Sequence, residues 1–272
     1  MNVMNIPTKD DDYKAVRRLF VAPPGMWWSK LDFGQLELRV LAEQSRDPQL
    51  LAAFQSGVDL HTETARIVLH DEGKRKFAKV VNFGLAYDLS PYGLQRKLRE
   101  EGLTIGLPEA AEIHSGTKRR FSVVEDYRRA SHSETLRTGC SYTMYGRERV
   151  FPGLRETLAD SRGRVSPQLA AALREAFNHR IQGTAWDIFA LALLATESVW
   201  DETHQLVNIV HDEFDTYVPV GDIDFLQMVS ALMVGVIGWK PFEGWPTHEW
   251  SVPLDVGISV GPNWTDQREV GD

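Results

Sequence analysis

Residues 30–40, KLDFGQLELRV, decide the fold of this chain, because an extended run passes here into a helical pattern. Four apolar residues follow Gln35, and we read the stretch as a strand that turns into a helix. These residues are Leu36, Leu38, Val40 and Leu41. Asp32 would then lie on the strand.

Residues 205–220, QLVNIVHDEFDTYVPV, provide the second signal. Two runs of β-forming residues flank His211, Asp212 and Glu213, which predicts a hairpin with charged residues at its tip. The C-terminal VPLDVGISVGPNW stretch reads as a last strand with turns that contain Gly.

The other patterns favour helices, so the expected fold class is α+β. An Asp-Pro pair begins a helix over residues 47–54, and Gly57 ends it. Further helices are expected at residues 61–70, 74–87 and 167–200, the last interrupted near Gly183, with shorter helical pieces over residues 102–167.

Asp32 and Asp212 both lie in apolar strand contexts, about 180 residues apart. A carboxylate there is costly unless a cation pairs with it. Two of them brought together form a hard oxygen site suited to Mg²⁺, which accepts substrate phosphates as further ligands. Two such ions about 4 Å apart can serve an in-line phosphoryl displacement. Taken singly, either residue could instead cap a helix or form a turn.

The helix over residues 75–87 places two cations and then two aromatic residues at steps of four, so all four project from one face. They are Arg75, Lys79, Phe83 and Tyr87. Such a face could bind a triphosphate at one end and stack on a base at the other. The alternative is an ordinary amphipathic helix with both aromatic rings in the core.

Arg174, Asn178 and Gln182 repeat the step of four before Gly183. This polar ridge could reach the minor groove of DNA, where the acceptors are similar in every base pair. A solvated helix face explains the ridge equally well.

The charges are unevenly distributed along the chain. Residues 74–180 hold 20 of the 30 Lys and Arg but 12 of the 38 Asp and Glu, although the formal net charge of the whole is −8. A basic middle between acidic flanks suits a DNA-facing surface beside a carboxylate centre. Chance segregation on solvated faces remains the alternative.

The cysteine content and the apolar segments indicate an intracellular, reducing setting. Cys140 is the single cysteine, which permits no internal disulfide, and no secretion signal is visible. The longest uncharged apolar stretch, residues 225–239, is shorter than the roughly 20 residues that span a bilayer. A buried helix is expected there, and no membrane contact.

Three motifs in order give the chain a resemblance to the polymerase domain of family A DNA polymerases, which include the bacterial repair polymerase and many phage replicative enzymes. DFGQLELR (32–39) resembles the family's DYSQIELR motif, RKFAKVVNFGLAY (75–87) its RxxxKxxxFGxxY helix, and VHDE (210–213) its third motif. Weaker matches are NIPT near the start, VDLHTETA (58–65), REAFNHRIQGTAWD (174–187) and VGPNW (260–264).

The resemblance implies a palm, an antiparallel sheet with helices, in residues 1–60 and 166–272, and mostly helical fingers in residues 61–165. It also implies a template-directed DNA polymerase that adds deoxynucleotides to a primer 3′-hydroxyl by two-metal nucleotidyl transfer. Primer–template DNA and dNTPs are the expected partners, and two Mg²⁺ ions, with Mn²⁺ able to substitute, are the expected cofactors.

The resemblance assigns a role to each matching residue. The metal ligands are Asp32, Asp212 and the main-chain carbonyl of Phe33. The catalytic residues are Asp32, Asp212, the supporting acid Glu213, and Lys79, which protonates the departing pyrophosphate. The nucleotide-binding residues are Gln35, Glu37, His61, Arg75, Lys79, Phe83 and Tyr87. The DNA contacts are Arg174, Asn178, Gln182 and, at the primer terminus, His211.

Two of these residues concern substrate choice. Glu37 matches the family's steric gate and, packed against Tyr87, would exclude a ribose 2′-hydroxyl. Phe83 stands where some members carry Tyr, and a Phe there is associated with rejecting nucleotides that lack a 3′-hydroxyl.

The chain departs from the family pattern in sequence and in extent. Gly34 replaces Ser, Phe33 replaces Tyr, and Asp88 follows Tyr87 where the family has Gly, which adds negative charge beside the nucleotide pocket. Palm and fingers are covered, but no thumb or exonuclease domain. A split polymerase is therefore expected, in which a separate polypeptide supplies the thumb, the exonuclease or both, and synthesis by this chain alone is weak and salt-sensitive.

Two other functions stay open at the level of sequence. One is a single-subunit RNA polymerase relative, against which Glu37 and the HDE form of the third motif argue. The other is an inactive or weak polymerase-derived DNA-binding subunit, against which the joint presence of Asp32, Asp212, Arg75 and Lys79 argues.

Overall fold

A computed structural model of the protein describes residues 6, 15–154 and 166–270. The strands are β1 Met26–Phe33, β2 Cys140–Tyr142, β3 Glu148–Val150, β4 Gln205–Val210, β5 Glu213–Pro219, β6 Val256–Gly261 and β7 Arg268–Glu269. The helices are α1 Leu36–Ser45, α2 Pro48–Gln55, α3 Leu60–Val68, α4 Arg75–Ala86, α5 Pro91–Glu100, α6 Leu107–Arg120, α7 Ser122–Thr138, α8 Pro167–Asn178, α9 Thr184–Thr196 and α10 Ile223–Gly235.

The main sheet is antiparallel, in the order β4-β5-β1-β6-β7, and a separate β2–β3 hairpin forms the second sheet. The central strand β1 of the main sheet pairs with β5 on one side and β6 on the other. Helices and antiparallel strands together confirm the α+β class. The strand-to-helix change at residues 30–40 and the hairpin at residues 205–220 are confirmed as well.

The contacts divide the chain into two units. The sheet unit comprises residues 1–36, 186–248 and 254–272 and holds the main sheet with α10. The helical unit comprises residues 37–185 and 249–253 and holds the β2–β3 hairpin and α2 to α8. The palm and fingers boundaries expected from the sequence concern functional subdomains, and they stay a prediction. The NIPT stretch lies outside the described residues except for Ile6.

Aromatic packing forms a core on the sheet unit. Trp28 of β1 stacks on Trp264 at 5.8 Å, and Phe20 meets both rings edge-on. The buried Trp264 belongs to the VGPNW stretch, where a Cβ on Gly261 would lie 2.0 Å from the Asp266 carbonyl oxygen. Only glycine therefore permits this close approach of the chain at the end of β6.

Local capping explains where the helices of the helical unit begin. Asp47 accepts hydrogen bonds from the backbone N–H groups of Gln49 and Leu50, and Pro48 occupies the first turn of α2. Ala65 of α3, Val81 of α4 and Leu98 of α5 belong to one buried cluster. Among the described helices, none combines the length and the apolar character needed to cross a membrane.

Candidate active site

Asp32 and Asp212, the two predicted metal ligands, both lie at one end of the main sheet. Asp32 lies near the end of β1, directly opposite Glu213 at the start of β5. The Phe33 N–H donates to the Asp212 carbonyl oxygen at 3.2 Å, so the β4–β5 turn is tied to the end of β1. Residues about 180 positions apart in the sequence are thus neighbours along the backbone.

Backbone conformations at this end of the sheet are unusual. His211, in the two-residue turn before β5, has a φ of 57°, and Gln35, between β1 and α1, has a φ of 55°. The left-handed region is uncommon for residues other than Gly, and such strain concentrates at functional sites. Gln35 also has a buried side-chain oxygen without a hydrogen-bond partner among the described residues. These features are consistent with a site built to receive a ligand.

Gly34 stands where the family motif has Ser. Its N–H donates to the Asp255 carbonyl at 2.8 Å, and a Cβ at this position would lie 3.0 Å from the Asp255 side-chain oxygen Oδ2. Glycine thus gives the Asp255 carboxylate room beside the end of β1.

A row of charged side chains extends from Asp32 into the sheet. Lys30 Nζ lies 3.6 Å from Glu213 Oε1, and Lys30 pairs in register with Asp215. The Asp215 carboxylate is fully buried and accepts hydrogen bonds from Trp28 Nε1 and Asn208 Nδ2, both at 2.9 Å. Burial, together with the negative charge of Glu213, raises the pKa of Asp215 to about 7.

The donor set at the sheet end fits a divalent cation that shares its ligands with a substrate. No group of three or more His, Cys, Asp and Glu side chains within the described residues could enclose a metal alone. Two carboxylates and a main-chain oxygen are the kind of incomplete oxygen set that Mg²⁺ uses when phosphates supply the remaining ligands.

Helix α4 presents the predicted face away from the core. Arg75 and Lys79 are exposed, and Phe83 and Tyr87 are half-buried, with their rings stacked 5.9 Å apart. Other positions of α4 supply the buried residues, namely Ala78, Val81, Asn82, Gly84, Leu85 and Ala86. The alternative that both aromatic rings belong to the core is therefore wrong.

Asp59 holds Arg75 at the start of α4. Its carboxylate caps α3 and accepts from Arg75 Nε at 2.6 Å. Burial alone would raise the pKa of Asp59, but hydrogen bonds from Thr62 and Arg75 and the charge of Arg75 outweigh it and lower the pKa to about 2. Asp59 was missed as a site residue, although its place before LHTET marks it as a helix cap.

His61 is buried beside the same cations and is neutral. Burial lowers the pKa of His61 to about 4. The charge of Asp59 acts to raise this pKa, and the charges of Arg75 and Lys79 act to lower it. The Asn82 amide donates to Leu60 O at 3.3 Å, which directs its nitrogen to His61 Nδ1 at 2.9 Å. The His61 proton is therefore on Nε2, which is a donor. Asn82 was missed too, although a lone amide in an apolar helix is a signal.

Glu37 and Tyr87 are in contact, as expected for the sugar-selecting pair. The Tyr87 hydroxyl donates to Glu37 Oε2. This bond joins the start of α1 to the end of α4 within the helical unit.

The charge of Asp88, next to Tyr87, is paired. Its carboxylate lies 3.1 Å from Arg128 Nη1 and 3.7 Å from Lys118 Nζ. Asp88 therefore does not add an uncompensated charge beside the nucleotide-binding residues.

The predicted DNA ridge lies on α8 and the helical turn that follows it. Arg174 and Gln182 are exposed and Asn178 is half-buried. Residues His179–Gly183 are π-helical, a conformation that often marks functional sites. The wider turn changes the spacing, so Gln182 does not continue the α-helical step of four.

Comparisons with known proteins agree with this geometry. The sequence model of DNA polymerase family A matches residues 1–266. DNA polymerase I of Chloroflexus aurantiacus is 32% identical over 97% of the chain, and the thermostable DNA polymerase I of Thermus aquaticus is 31% identical over 98%. The chain spans 27% and 30% of these two relatives' lengths.

Solved structures also match the chain, and one of them covers nearly all of it. It is the POL domain of Pol1 from M. smegmatis, in complex with DNA primer-template and dNTP. Its TM-score is 0.77 and its identity 30%, with coverage of 97% of this chain and 44% of that one. The fold resembles that of a polymerase domain. The chain belongs to DNA polymerase family A.

Proposed function

We propose that this chain is the catalytic core of a template-directed DNA polymerase that adds deoxynucleotides to a primer 3′-hydroxyl. The observation that carries the proposal is the convergence of Asp32 and Asp212 at the end of β1, joined by the bond from Phe33 N–H to Asp212 O. Family membership and the primer-template and dNTP held by the M. smegmatis protein support it.

The carboxylates of Asp32 and Asp212 and the carbonyl of Phe33 would hold two Mg²⁺ ions, for which Mn²⁺ can substitute. Bound there, the ions would activate the 3′-hydroxyl and stabilise the leaving oxygen of an in-line displacement. Glu213 supports the site from β5, where Lys30 offsets its charge.

The exposed cations of α4 would bind the triphosphate of the incoming nucleotide. Asp59 orients Arg75, and Lys79 is the proton donor to the departing pyrophosphate. The Nε2–H of His61 adds a neutral donor to phosphate oxygens, because this imidazole stays uncharged. Gln35 would accept a hydrogen bond from a sugar hydroxyl through its unsatisfied side-chain oxygen and donate to phosphate oxygens through its amide N–H.

Substrate choice and DNA contacts follow from the remaining residues. The Tyr87–Glu37 bond holds the carboxylate that excludes a 2′-hydroxyl, which favours dNTPs over the rNTPs of an RNA polymerase. Phe83 lies beside the 3′ position. The duplex would be contacted by Arg174, Asn178, Gln182 and His211.

Primer extension tests the proposal. Asp212→Asn keeps the shape of the side chain but removes its charge, so we expect a loss of at least about a hundredfold in rate. The matched control Asp224→Asn changes an exposed acid on α10 of the same unit, and it should extend primers like the wild type. Retention of the wild-type rate by Asp212→Asn would overturn the proposal.

A separate polypeptide that supplies the thumb, the exonuclease or both stays a prediction. Its test is co-purification of this chain with another gene product, followed by primer extension with and without it. Extension that is equally efficient and salt-resistant without any partner would contradict it.

A further inference from the structure

The end of α4 carries an ion-pair network that the proposed chemistry does not use. Asp88 has a φ of 51°, and Leu89 N–H donates to Gly84 O at 3.0 Å, so the helix ends in a left-handed cap at Asp88. An acidic side chain tolerates this conformation better than most, but at a cost that Gly would not have.

Arg128 of α7 binds the chain on both sides of Tyr87. Its Nη2 donates to Leu85 O at 2.7 Å, and its Nη1 lies 3.1 Å from the Asp88 carboxylate. The Arg128 side chain is only 4% exposed, and Glu125 of α7 pairs with it as well. A buried guanidinium needs such partners, so the geometry on either side of Tyr87 is held firmly.

The same arginine reaches a second functional element. Its guanidinium lies 4.9 Å from the centre of the Phe177 ring, next to Asn178 on α8. Lys118 of α6 contacts both Asp88, at 3.7 Å, and Glu125, at 3.1 Å. Three helices of the helical unit thus meet at the residue that follows Tyr87.

We infer that Asp88 and Arg128 are positioning residues that set sugar selectivity by fixing Tyr87 against Glu37. Leu85 and Asp88 are both held by Arg128, so the main chain on both sides of Tyr87 is fixed, which limits the positions that the Tyr87 ring can take. The Tyr87 hydroxyl in turn fixes the Glu37 carboxylate. This inference rests on the proposed polymerase function and deepens it, since neither residue touches the substrate.

Single-nucleotide insertion tests the inference through the ratio of kcat/KM for a dNTP to that for the matching rNTP. Asp88→Asn removes the charge but tolerates the left-handed backbone, and Asp88→Gly removes both the charge and the backbone cost. We expect both to lower the ratio about tenfold, an effect of the size found for coupled contacts. Arg128→Lys, which cannot bridge Leu85 and Asp88, should do the same.

Asp126→Asn, an exposed acid on the same helix α7, is the matched control and should keep the wild-type ratio. General destabilisation would slow both nucleotides equally and leave the ratio unchanged. If the wild type extends primers, and Asp88→Gly and Arg128→Lys have the same dNTP-to-rNTP ratio of kcat/KM as the wild type, the inference is overturned and the proposed function stands. If wild type extends no primer, both fail.

Discussion

His61 illustrates how neighbouring groups fix the chemistry of one side chain. The Asn82 amide, oriented by Leu60 O, places the imidazole proton on Nε2, while burial keeps the ring neutral. At physiological pH this histidine is a hydrogen-bond donor without charge. The sequence motif predicted that His61 is a site residue, but its tautomer depends on a contact with α4 that no local pattern encodes.

Phe83 carries the first prediction at the scale of one residue. Phe83→Tyr adds a hydroxyl beside the expected 3′ position, where it can replace the bond lost in a chain terminator. We expect the preference for dNTP over ddNTP to fall about tenfold, the effect of one hydrogen bond of about 1.4 kcal/mol. Competition between dNTP and ddNTP in primer extension measures it.

The control for this change is Phe77→Tyr, on the same helix but packed against the buried cluster of α3 to α5. It should leave terminator use unchanged. Equal terminator use by wild type and Phe83→Tyr would show that Phe83 does not contact the sugar.

Asp215 joins three elements of the main sheet. Its carboxylate on β5 accepts from Trp28 of β1 and Asn208 of β4. These strands carry Asp32 and the turn with Asp212, so the buried acid fixes the strands that bring the carboxylates together. The alternation in EFDTYVP indicates that Asp215 shares a face with Glu213. Its hydrogen bonds to neighbouring strands could not be predicted, because they depend on strand order and register.

Titration of Asp215 predicts a pH dependence of stability. The pKa of Asp215 is about 7 in the folded protein, against a reference value of 3.8, so folding takes up a proton between these values. The contribution of Asp215 to the free energy of unfolding is therefore highest below pH 3.8 and decreases as the pH rises to about 7. Each unit of difference between the two pKa values corresponds to a loss of about 1.4 kcal/mol at most. The Tm of Asp215→Asn minus the Tm of wild type should therefore be larger at pH 8 than at pH 5.

Thermal unfolding at the two pH values checks this prediction. The exposed acid change Asp224→Asn is the control, and its Tm difference from wild type should not vary with pH. A constant Tm difference between Asp215→Asn and wild type would mean that Asp215 is ionised throughout.

Elements with a strong local pattern were predictable, and those held by tertiary contacts were not. The turn from β1 into α1, the β4–β5 hairpin and α4 follow from periodicity and turn residues. The β2–β3 hairpin was missed, because strands of three residues give little alternation. The same holds for β7, with two residues. The interruption that the sequence predicts near Gly183 is present as the turn His179–Gly183, but its π-helical form was not predicted.

At the scale of the whole molecule, the basic stretch of the sequence and the predicted metal-binding acids fall in different structural units. The basic stretch of residues 74–180 lies entirely within the helical unit, whereas Asp32, Asp212 and Glu213 belong to the sheet unit. The cations that we propose to bind the nucleotide and the carboxylates that we propose to bind metal thus come from different units of the fold. This is consistent with electrostatic attraction of DNA by one unit and with a cation site on the other.

The central claim is that Asp32 and Asp212 act as one metal-binding unit. Single-turnover primer extension by Asp32→Asn, Asp212→Asn and the double variant tests it most directly. When two groups act as a unit, removing either one removes the function of both. Each single change should therefore lower the extension rate about a thousandfold, and the double variant should be at most about tenfold slower than the single variants. A single variant within tenfold of the wild-type rate, or fully multiplicative losses, would contradict the account.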